Sequence, residues 1–283
     1  MARIAIIGGG NMGEALLAGL LRAGRPVREL VVSEKAPGRA AQLAQAYSVQ
    51  VTSLSDAVEN AAFVILAVKP GDVESVVAEI GDASTRAEGH SVEQVLVSVV
   101  AGITTAYYES RLPAGSPVIR VMPNAPALVG AGVSALAPGR FATADQLAEA
   151  AALFESVGGA LTVPESQIDT VTAVSGSGPA YFFLFLEALI DAGVAGGLSR
   201  AVATDLAVQT MAGSAAMVLD RIGKADGDAP DTTPAELRAL VTSPGGTTAA
   251  GLRELERGGL RAAVAAAVDA AKTRSEQLGI TSE

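Results

Sequence analysis

The feature that most constrains the fold is a glycine-rich turn near the start of the chain. Gly8, Gly10 and Gly13 form a G-x-G-x-x-G pattern, which follows the apolar run at residues 4–7 and opens an amphipathic stretch. In dinucleotide-binding folds these glycines permit a tight turn, close approach of the backbone to a pyrophosphate, and close packing of the next helix. A glycine turn without a ligand is the alternative, but the β-α-β setting favours a cofactor site. The predicted cofactor-binding residues here are Gly8, Gly10, Asn11, Met12 and Gly13.

Strand-like and helix-like segments alternate through the first half of the chain. Strands are predicted at residues 4–7, 30–33, 49–52, 63–68, 95–100, 118–122 and 133–136, with helices at 11–23 and 37–47. The alternation is typical of a doubly wound, mostly parallel sheet. Six further helices are predicted, at residues 169–175, 179–192, 200–222, 234–241, 248–257 and 260–278. The sequence thus predicts an α/β fold, with a Rossmann-like domain over residues 1–163 and an all-α dimerisation and substrate domain over residues 164–283.

Composition excludes several classes of chemistry. The chain has no cysteine and one histidine, His90, so disulfides, thiolate metal sites, cysteine nucleophiles and histidine relays are not expected, and no metal site is predicted. A net charge of −10 argues against nucleic-acid binding. The apolar stretch at residues 180–186 ends at Glu187, well short of the roughly 20 residues that span a bilayer. We therefore expect a cytoplasmic protein without a membrane segment.

The residues after the second predicted strand bear on the type of cofactor. Glu34 is an acid of the kind that binds a ribose diol and favours NADH. Ser33, Lys35 and Arg39 supply a hydroxyl and two cations, which suit the 2′-phosphate of NADPH. Solvated surface charge is the alternative for the two cations. The segment therefore favours NADPH and leaves NADH open, with Ser55 expected near the adenine ribose.

One helix of the second half is apolar on most of its circumference. Its large side chains include Tyr181, Phe182, Phe183, Phe185 and Leu186. A helix that is apolar on nearly all sides must be surrounded by other apolar surface. A domain of this size has too few elements to surround it, so the pattern predicts a helical homodimer interface.

Four further segments, taken with the glycine turn, resemble the pyrroline-5-carboxylate reductase family. They are A-V-K-P at residues 67–70, V-M-P-N-A-P at 121–126, S-G-S-G-P-A-Y at 175–181 and T-S-P-G-G-T-T at 242–248. Their order and spacing are similar to the family from residue 3 to about residue 275. The last segment is the most specific, because the glycine turn alone fits many dehydrogenases.

The resemblance implies reduction of 1-pyrroline-5-carboxylate to L-proline by NAD(P)H, the last step of proline biosynthesis. It also implies a helical domain that interlocks with a partner subunit, and dimers that assemble into larger rings. Nicotinamide contacts are expected at Ala67, Val68, Lys69, Pro70, Ala101 and Gly102. Substrate contacts are expected at Met122, Asn124, Ser243, Gly245, Gly246, Thr247 and Thr248. Thr248 matches the group that the family places at the imine nitrogen.

The chemistry of these residue types is consistent with that resemblance. Proline and two glycines within residues 243–248 let successive N–H groups converge, and Thr247 or Thr248 is expected to cap the next helix. Helix-terminal amides and hydroxyls make a carboxylate cradle without a cation, although an ordinary helix cap is the commoner use of this pattern. A cyclic imine is basic and accepts hydride once protonated, so placement matters more than a dedicated acid.

Two rival functions use other residues. A dehydrogenase acting on a β-hydroxy acid would need a catalytic lysine in the helical half, where Lys224 and Lys272 are the candidates and neither has a catalytic setting. A regulator that only binds NADP would keep the glycine turn without the carboxylate cradle. Lys69 at a strand end and Ser175 in S-G-S-G-P also resemble catalytic groups. The proline beside Lys69 favours a structural or cofactor role, and the absence of a histidine base argues against a serine nucleophile.

Overall fold

A computed structural model describes residues 3–86, 94–222 and 233–280. His90 and Lys224 lie outside these described residues. The strands are β1 (Arg3–Ile7), β2 (Leu30–Ser33), β3 (Gln50–Thr52), β4 (Ala61–Leu66), β5 (Val95–Ser98), β6 (Val118–Met122), β7 (Gly132–Pro138) and β8 (Gly158–Thr162). The helices are α1 (Asn11–Arg22), α2 (Pro37–Tyr47), α3 (Leu54–Val58), α4 (Val73–Arg86), α5 (Thr105–Glu109), α6 (Ala144–Phe154), α7 (Ile168–Val171), α8 (Gly178–Ala195), α9 (Arg200–Ile222), α10 (Thr233–Leu240), α11 (Thr247–Arg257) and α12 (Leu260–Ile280).

The eight strands form one sheet in the order β3-β2-β1-β4-β5-β6-β7-β8. All neighbours are parallel except β6 and β7, which are antiparallel. The chain winds outward from β1 in one direction and from β4 in the other, so a topological switch point lies between them. Ile7, the last residue of β1, lies opposite Ser33 and Leu66, the last residues of β2 and β4. Three carboxyl ends therefore meet at one level of the sheet edge.

The sheet separates two apolar cores. Ile4 and Ile6 of β1 pack into one core with Leu16 of α1, while Ala5 and Ile7 pack into the other. Successive side chains of a strand point to opposite faces, so a run buried on both faces is apolar at every position. This explains why β1 and β4 are continuous apolar stretches and confirms the predicted doubly wound sheet.

Several elements were missed or misjudged in extent by the sequence patterns. The edge strand β8 was not predicted, since its G-G-A-L-T sequence is largely exposed and lacks the apolar signal of a buried strand. Helices α3 to α6 were also missed. The strand predicted at 63–68 is shifted by two residues, because β4 runs from Ala61 to Leu66, and the strand predicted at 95–100 is too long, because β5 ends at Ser98. The residues that follow leave the sheet to form the turns of its carboxyl edge.

The chain divides into two compact units. One comprises Met1–Pro179 together with Val268–Glu283, and the other comprises Ala180–Ala267. The first contains the whole sheet and the C-terminal part of α12. The second is helical, and among its described residues only Ala203, Ala207 and Leu237 are buried. The boundary predicted between residues 163 and 164 stays a prediction.

A backbone junction between β7 and β8 depends on one glycine. Gly158 has φ 144°, and a Cβ built there would overlap the backbone of Gly132. A Cβ at the neighbouring Gly159 would meet nothing within 4 Å. The two adjacent glycines therefore differ in both conformation and available space.

We predict that Gly158→Ala lowers the free energy of unfolding by about 3 kcal/mol, because the overlap is with backbone that has no way to swing aside. Gly159→Ala is the matched control and leaves the free energy of unfolding nearly unchanged. Urea unfolding at one protein concentration measures both, since association alters apparent stability. Equal unfolding midpoints for the two variants would contradict this account of the junction.

Candidate functional site

The glycine turn lies at the carboxyl edge beside the switch point. Gly8 has φ 102°, and a Cβ there would lie 2.5 Å from the carbonyl oxygen of Ala67. The N–H of Gly8 donates to the Ser33 carbonyl at 2.8 Å, and the N–H of Ala67 donates to the Ile7 carbonyl at 2.8 Å. A Cβ at Gly13 would overlap the Gly8 carbonyl. Only glycine fits positions 8 and 13, as the pattern predicted.

The geometry of Gly10 fits a pyrophosphate. A Cβ built on Gly10 would meet nothing within 4 Å, so the space in front of the turn is open. Gly10 is also the N-cap of α1 and has no side chain to satisfy the first-turn amides. Amides at a helix N-terminus attract anions through hydrogen bonds and the helix dipole. The turn can therefore hold a dinucleotide by its phosphates, with Asn11 and Met12 in the first turn of the helix.

Glu34 has a structural role that the sequence pattern did not predict. Its carboxylate accepts hydrogen bonds from the N–H of Gly9 at 2.8 Å and of Ala36 at 2.7 Å. A Cβ at Gly9 would overlap Leu43 and come within 3.1 Å of the Glu34 carboxylate. Glu34 thus ties the end of β2 to the glycine turn.

Arg39 holds the same turn from its other side. Its Nε donates to the Gly9 carbonyl at 2.7 Å, and its terminal nitrogen pairs with the Glu14 carboxylate of α1. The Tyr47 hydroxyl donates to Glu14 at 3.0 Å. The hydrogen bond from Arg39 is the main reason that the pKa of Glu14 is lowered, whereas burial is the main reason that the pKa of Tyr47 is raised. Arg39 is therefore engaged by the protein, which limits its part in holding a 2′-phosphate.

Lys35 and the two nearby serines occupy different settings. The Lys35 ammonium lies 2.6 Å from the Asp72 carboxylate, and its side chain is largely exposed. Ser33 is half-buried at the end of β2, where the Gly8 amide reaches its carbonyl. Ser55 lies in α3, and its hydroxyl donates to Glu79 of α4 at 3.3 Å. The 2′-phosphate contacts predicted for Ser33 and Lys35 and the ribose contact predicted for Ser55 stay predictions.

The turn after β4 contains the predicted nicotinamide residues. The exposed Lys69 precedes a single turn of 3-10 helix at Pro70–Asp72, and its carbonyl accepts from the Asp72 N–H at 2.9 Å. Gly102, after β5, has φ 82° and lies against the last turn of α12. A Cβ on Gly102 would stand 3.5 Å from the backbone of Leu278 and Gly279. Both turns follow strands whose carboxyl ends share the edge with the glycine turn.

Met122 and Asn124 lie at and just beyond the carboxyl end of β6. Met122 is half-buried and packs with Ala135, Ile168 and neighbouring apolar residues. The Asn124 side-chain oxygen accepts a hydrogen bond from the Val133 N–H at 2.9 Å. The amide nitrogen of Asn124 thereby keeps a fixed direction. The structure brings both residues to the carboxyl edge of the sheet.

The T-S-P-G-G-T-T segment forms a turn and a helix start within the helical unit. The Gly246 N–H donates to the Ser243 carbonyl at 3.0 Å, and Gly245 has φ 70°. Gly246 is the N-cap of α11 and offers no side-chain cap. The prediction that Thr247 or Thr248 caps this helix is therefore wrong, because both lie inside its first turn. Their amides and hydroxyls remain exposed at a positive helix end, as a carboxylate cradle requires.

The other residues that were considered as catalytic groups make contacts within the protein. The S-G-S-G-P segment begins in the last two residues of one turn of π-helix, Thr172–Gly176, and then opens α8. The Ser175 hydroxyl donates to the Val171 carbonyl at 3.0 Å, and Lys272 pairs with Glu276 at 3.3 Å. Groups of three or more potential metal ligands are absent from the described residues.

Within the described ranges, two helical segments are long and apolar enough to cross a membrane when judged by length and composition. They are Glu165–Ala195 and Arg200–Ile222. The first segment contains the apolar helix that was predicted to form a homodimer interface, and its Phe182, Phe183 and Leu184 are all more than 60% exposed in the single chain. Such an exposed apolar surface marks an interaction site.

Two family models match separate parts of the chain. Residues 165–278 match "Pyrroline-5-carboxylate reductase dimerisation", and residues 3–102 match "NADP oxidoreductase coenzyme F420-dependent". The pyrroline-5-carboxylate reductase of Mycobacterium tuberculosis H37Rv is 69% identical over 291 aligned residues, which cover 100% of this chain and 99% of that protein. The chain belongs to the pyrroline-5-carboxylate reductase family. The Mycobacterium leprae reductase is 65% identical with the same coverage.

Solved structures of the family show the same fold. A pyrroline-5-carboxylate reductase from Coxiella burnetii superposes with a TM-score of 0.88 at 34% identity, covering 98% of both chains. The Plasmodium falciparum enzyme, solved with NADP bound, superposes with a TM-score of 0.81 at 30% identity and the same coverage. The predicted fold class, a Rossmann-like sheet followed by a helical dimerisation region, is thereby confirmed.

We predict opposite effects on cofactor preference from the two partners of the Lys35–Asp72 ion pair. Lys35→Ala weakens the binding of NADPH relative to the binding of NADH, because it removes a cation near the expected 2′-phosphate. Asp72→Asn strengthens the binding of NADPH relative to the binding of NADH, because it releases the same cation from its ion pair. A change of about fivefold in each Kd ratio is expected for an exposed charge. Fluorescence titration with both cofactors measures the ratios, and unchanged ratios would contradict a phosphate contact by Lys35.

Proposed function

We propose that this protein reduces 1-pyrroline-5-carboxylate to L-proline in the cytoplasm, with NADPH as the preferred reductant and NADH as an alternative. Its membership of the reductase family over the full chain is the observation that carries the proposal. The two constellations that the reaction needs support it: an open glycine turn for the cofactor phosphates and an uncapped helix start for the substrate carboxylate.

The cofactor is held largely by main-chain groups. Gly8 and Gly13 allow the turn, and the open face at Gly10 receives the pyrophosphate on the amides of α1. Glu34 fixes the N–H of Gly9 and Arg39 fixes its carbonyl, so the turn is preorganised before the cofactor binds. Ala67, Val68, Lys69, Pro70, Ala101 and Gly102 are the proposed nicotinamide contacts.

The substrate carboxylate is proposed to bind at the start of α11. The turn closed by the Gly246 N–H and the Ser243 carbonyl directs the first amides of the helix outward. No side chain competes for these amides at the N-cap, so a carboxylate takes the place of a cap. Ser243, Gly245, Gly246, Thr247 and Thr248 are the proposed carboxylate contacts. Met122 and Asn124, at the carboxyl end of β6, are proposed separately as substrate contacts of the sheet-containing unit.

Bound NADPH supplies a hydride, which adds to the imine carbon while the imine nitrogen takes up one proton. Thr248 is proposed to orient and polarise that nitrogen through its hydroxyl. An unperturbed hydroxyl is a weak acid, and the imine is basic enough to take its proton from water or from the hydroxyl. The protein's contribution is then placement and exclusion of water, for which no histidine or cysteine is required.

The helical unit is proposed to form a homodimer, and dimers to assemble into a ring. Among its described residues only Ala203, Ala207 and Leu237 are buried, so a single chain leaves this unit without a core of its own. The aromatic side chains of α8 are among its most exposed apolar residues. A second copy of the chain covers such a surface with matching apolar side chains, which also explains why these helices are hydrophobic enough to resemble membrane spans.

The direct test of the reaction is oxidation of NADPH on addition of pyrroline-5-carboxylate, with L-proline identified as the product. We predict that Thr248→Ala lowers kcat by about 10²-fold. Its Kd for NADPH is expected to stay close to that of the wild type, because the cofactor is held elsewhere. Thr248→Ser retains the hydroxyl and serves as the matched control, with most of the turnover kept. Equal losses in Thr248→Ser and Thr248→Ala would argue against a role for the hydroxyl.

We predict that Phe182→Glu converts the protein to monomers, because it buries a carboxylate in the proposed interface. Phe141→Glu is the matched control, since Phe141 is an exposed aromatic residue of the sheet-containing unit. Sedimentation equilibrium gives the mass of each variant. A Phe182→Glu protein that remains fully associated would show that α8 does not form the interface.

A further inference from the structure

The junction that leads into α8 contains one turn of π-helix. Over Thr172–Gly176 the backbone is wider than an α-helix, and the Ser177 N–H donates to the Thr172 carbonyl five residues earlier, at 2.8 Å. One extra residue in a turn rotates the direction of the following residues by about 100° around the helix axis. Single π-helical turns are often found at functional sites. The direction in which Gly176 faces is therefore a consequence of this turn.

Gly176 faces Met122 at the end of β6. A Cβ built on Gly176 would lie 2.7 Å from the terminal methyl of Met122 and 3.6 Å from a methyl group of Thr172. The methyl of Met122 thus occupies the space that a side chain at position 176 would take. Gly176 does not have a positive φ, so backbone conformation does not explain why glycine is present.

The contact differs in kind from those of Gly8 and Gly13 in the cofactor turn. At Gly8 and Gly13 the obstacle is backbone, which does not move aside. At Gly176 the obstacle is the far end of a methionine side chain, which is flexible. The fold therefore tolerates alanine at position 176, and the residue that moves is Met122, at the carboxyl edge of the sheet.

We propose that Gly176 is a positioning residue for the reductase reaction. By leaving space for the Met122 methyl, it holds the Met122 thioether at the substrate. This proposal rests on the proposed function, because Met122 is one of its substrate residues. An alanine methyl at position 176 occupies the space of the Met122 methyl, so the methyl moves away and the thioether is displaced. A displacement on the scale of 1 Å near the reacting atoms is enough to lower the rate by up to about 10²-fold.

The test compares the wild type with Gly176→Ala in steady-state reduction of pyrroline-5-carboxylate. We expect kcat/KM for the imine to fall by about tenfold or more. The primary isotope effect with NADPH deuterated at the transferred hydrogen is expected to rise, because hydride transfer becomes slower than the other steps. The melting temperature is expected not to fall, since alanine favours a helix more than glycine does. A crystal structure of the variant is expected to show the Met122 methyl moved away from position 176.

Two further variants separate positioning from a general effect of substitution. Gly178→Ala is the matched control, because Gly178 is buried in the same segment and a Cβ there would meet nothing within 4 Å; its kinetics are expected to match the wild type. Met122→Leu shortens the side chain, so the double variant Gly176→Ala/Met122→Leu is expected to be more active than Gly176→Ala alone. Such non-additivity is the sign of a direct contact.

Three results would overturn the proposal. They are wild-type kinetics in Gly176→Ala, the same loss in Gly178→Ala, and a double variant no more active than Gly176→Ala. A wild-type protein that does not reduce the imine would instead refute the proposed function, and this inference would fall with it. The two failures are thus distinguished by the activity of the unmodified protein.

Discussion

The whole carboxyl edge of the sheet depends on backbone segments that approach one another without side chains between them. A Cβ at Gly8 would stand 2.5 Å from the Ala67 carbonyl oxygen, and one at Gly13 would overlap the Gly8 carbonyl. The first contact holds the glycine turn against the residue that follows β4. The second allows the start of α1 to pack against the turn. Because the obstacles are backbone atoms, any larger residue would have to move a strand or a helix. The open face at Gly10 is what this arrangement provides for a ligand.

Main-chain amides carry most of the binding in the proposed mechanism, and charged side chains mainly hold those amides in place. Glu34 accepts from the Gly9 N–H and Arg39 donates to the Gly9 carbonyl, while Glu14 pairs with Arg39 and accepts a hydrogen bond from Tyr47. The helix start at Gly246 offers uncapped amides in the same manner. This distribution fits a chain with a single histidine and no cysteine. It also fits the reduction of an imine, which requires placement more than acid catalysis.

Much of the fold followed from the sequence because buried parallel strands leave a strong signal. The apolar runs of β1, β2 and β4 and the glycines at positions 8 and 13 were sufficient to predict the Rossmann-like sheet. The edge strand β8 was missed because half-exposed residues carry no such run. The partners of Lys35 and Arg39 were not predictable, since Asp72 and Gly9 are distant in sequence and their contacts arise only from the tertiary fold. The contact between Met122 and Gly176 was not predictable for the same reason.

The central claim is that the substrate carboxylate binds to main-chain amides at the start of α11. A crystal structure of the protein with NADPH and L-proline tests it most directly. The account predicts that both carboxylate oxygens of proline lie within hydrogen-bond distance of N–H or hydroxyl groups of residues 243–248, with no lysine or arginine side chain on them. Proline bound through a cationic side chain, or bound away from this turn, would contradict it.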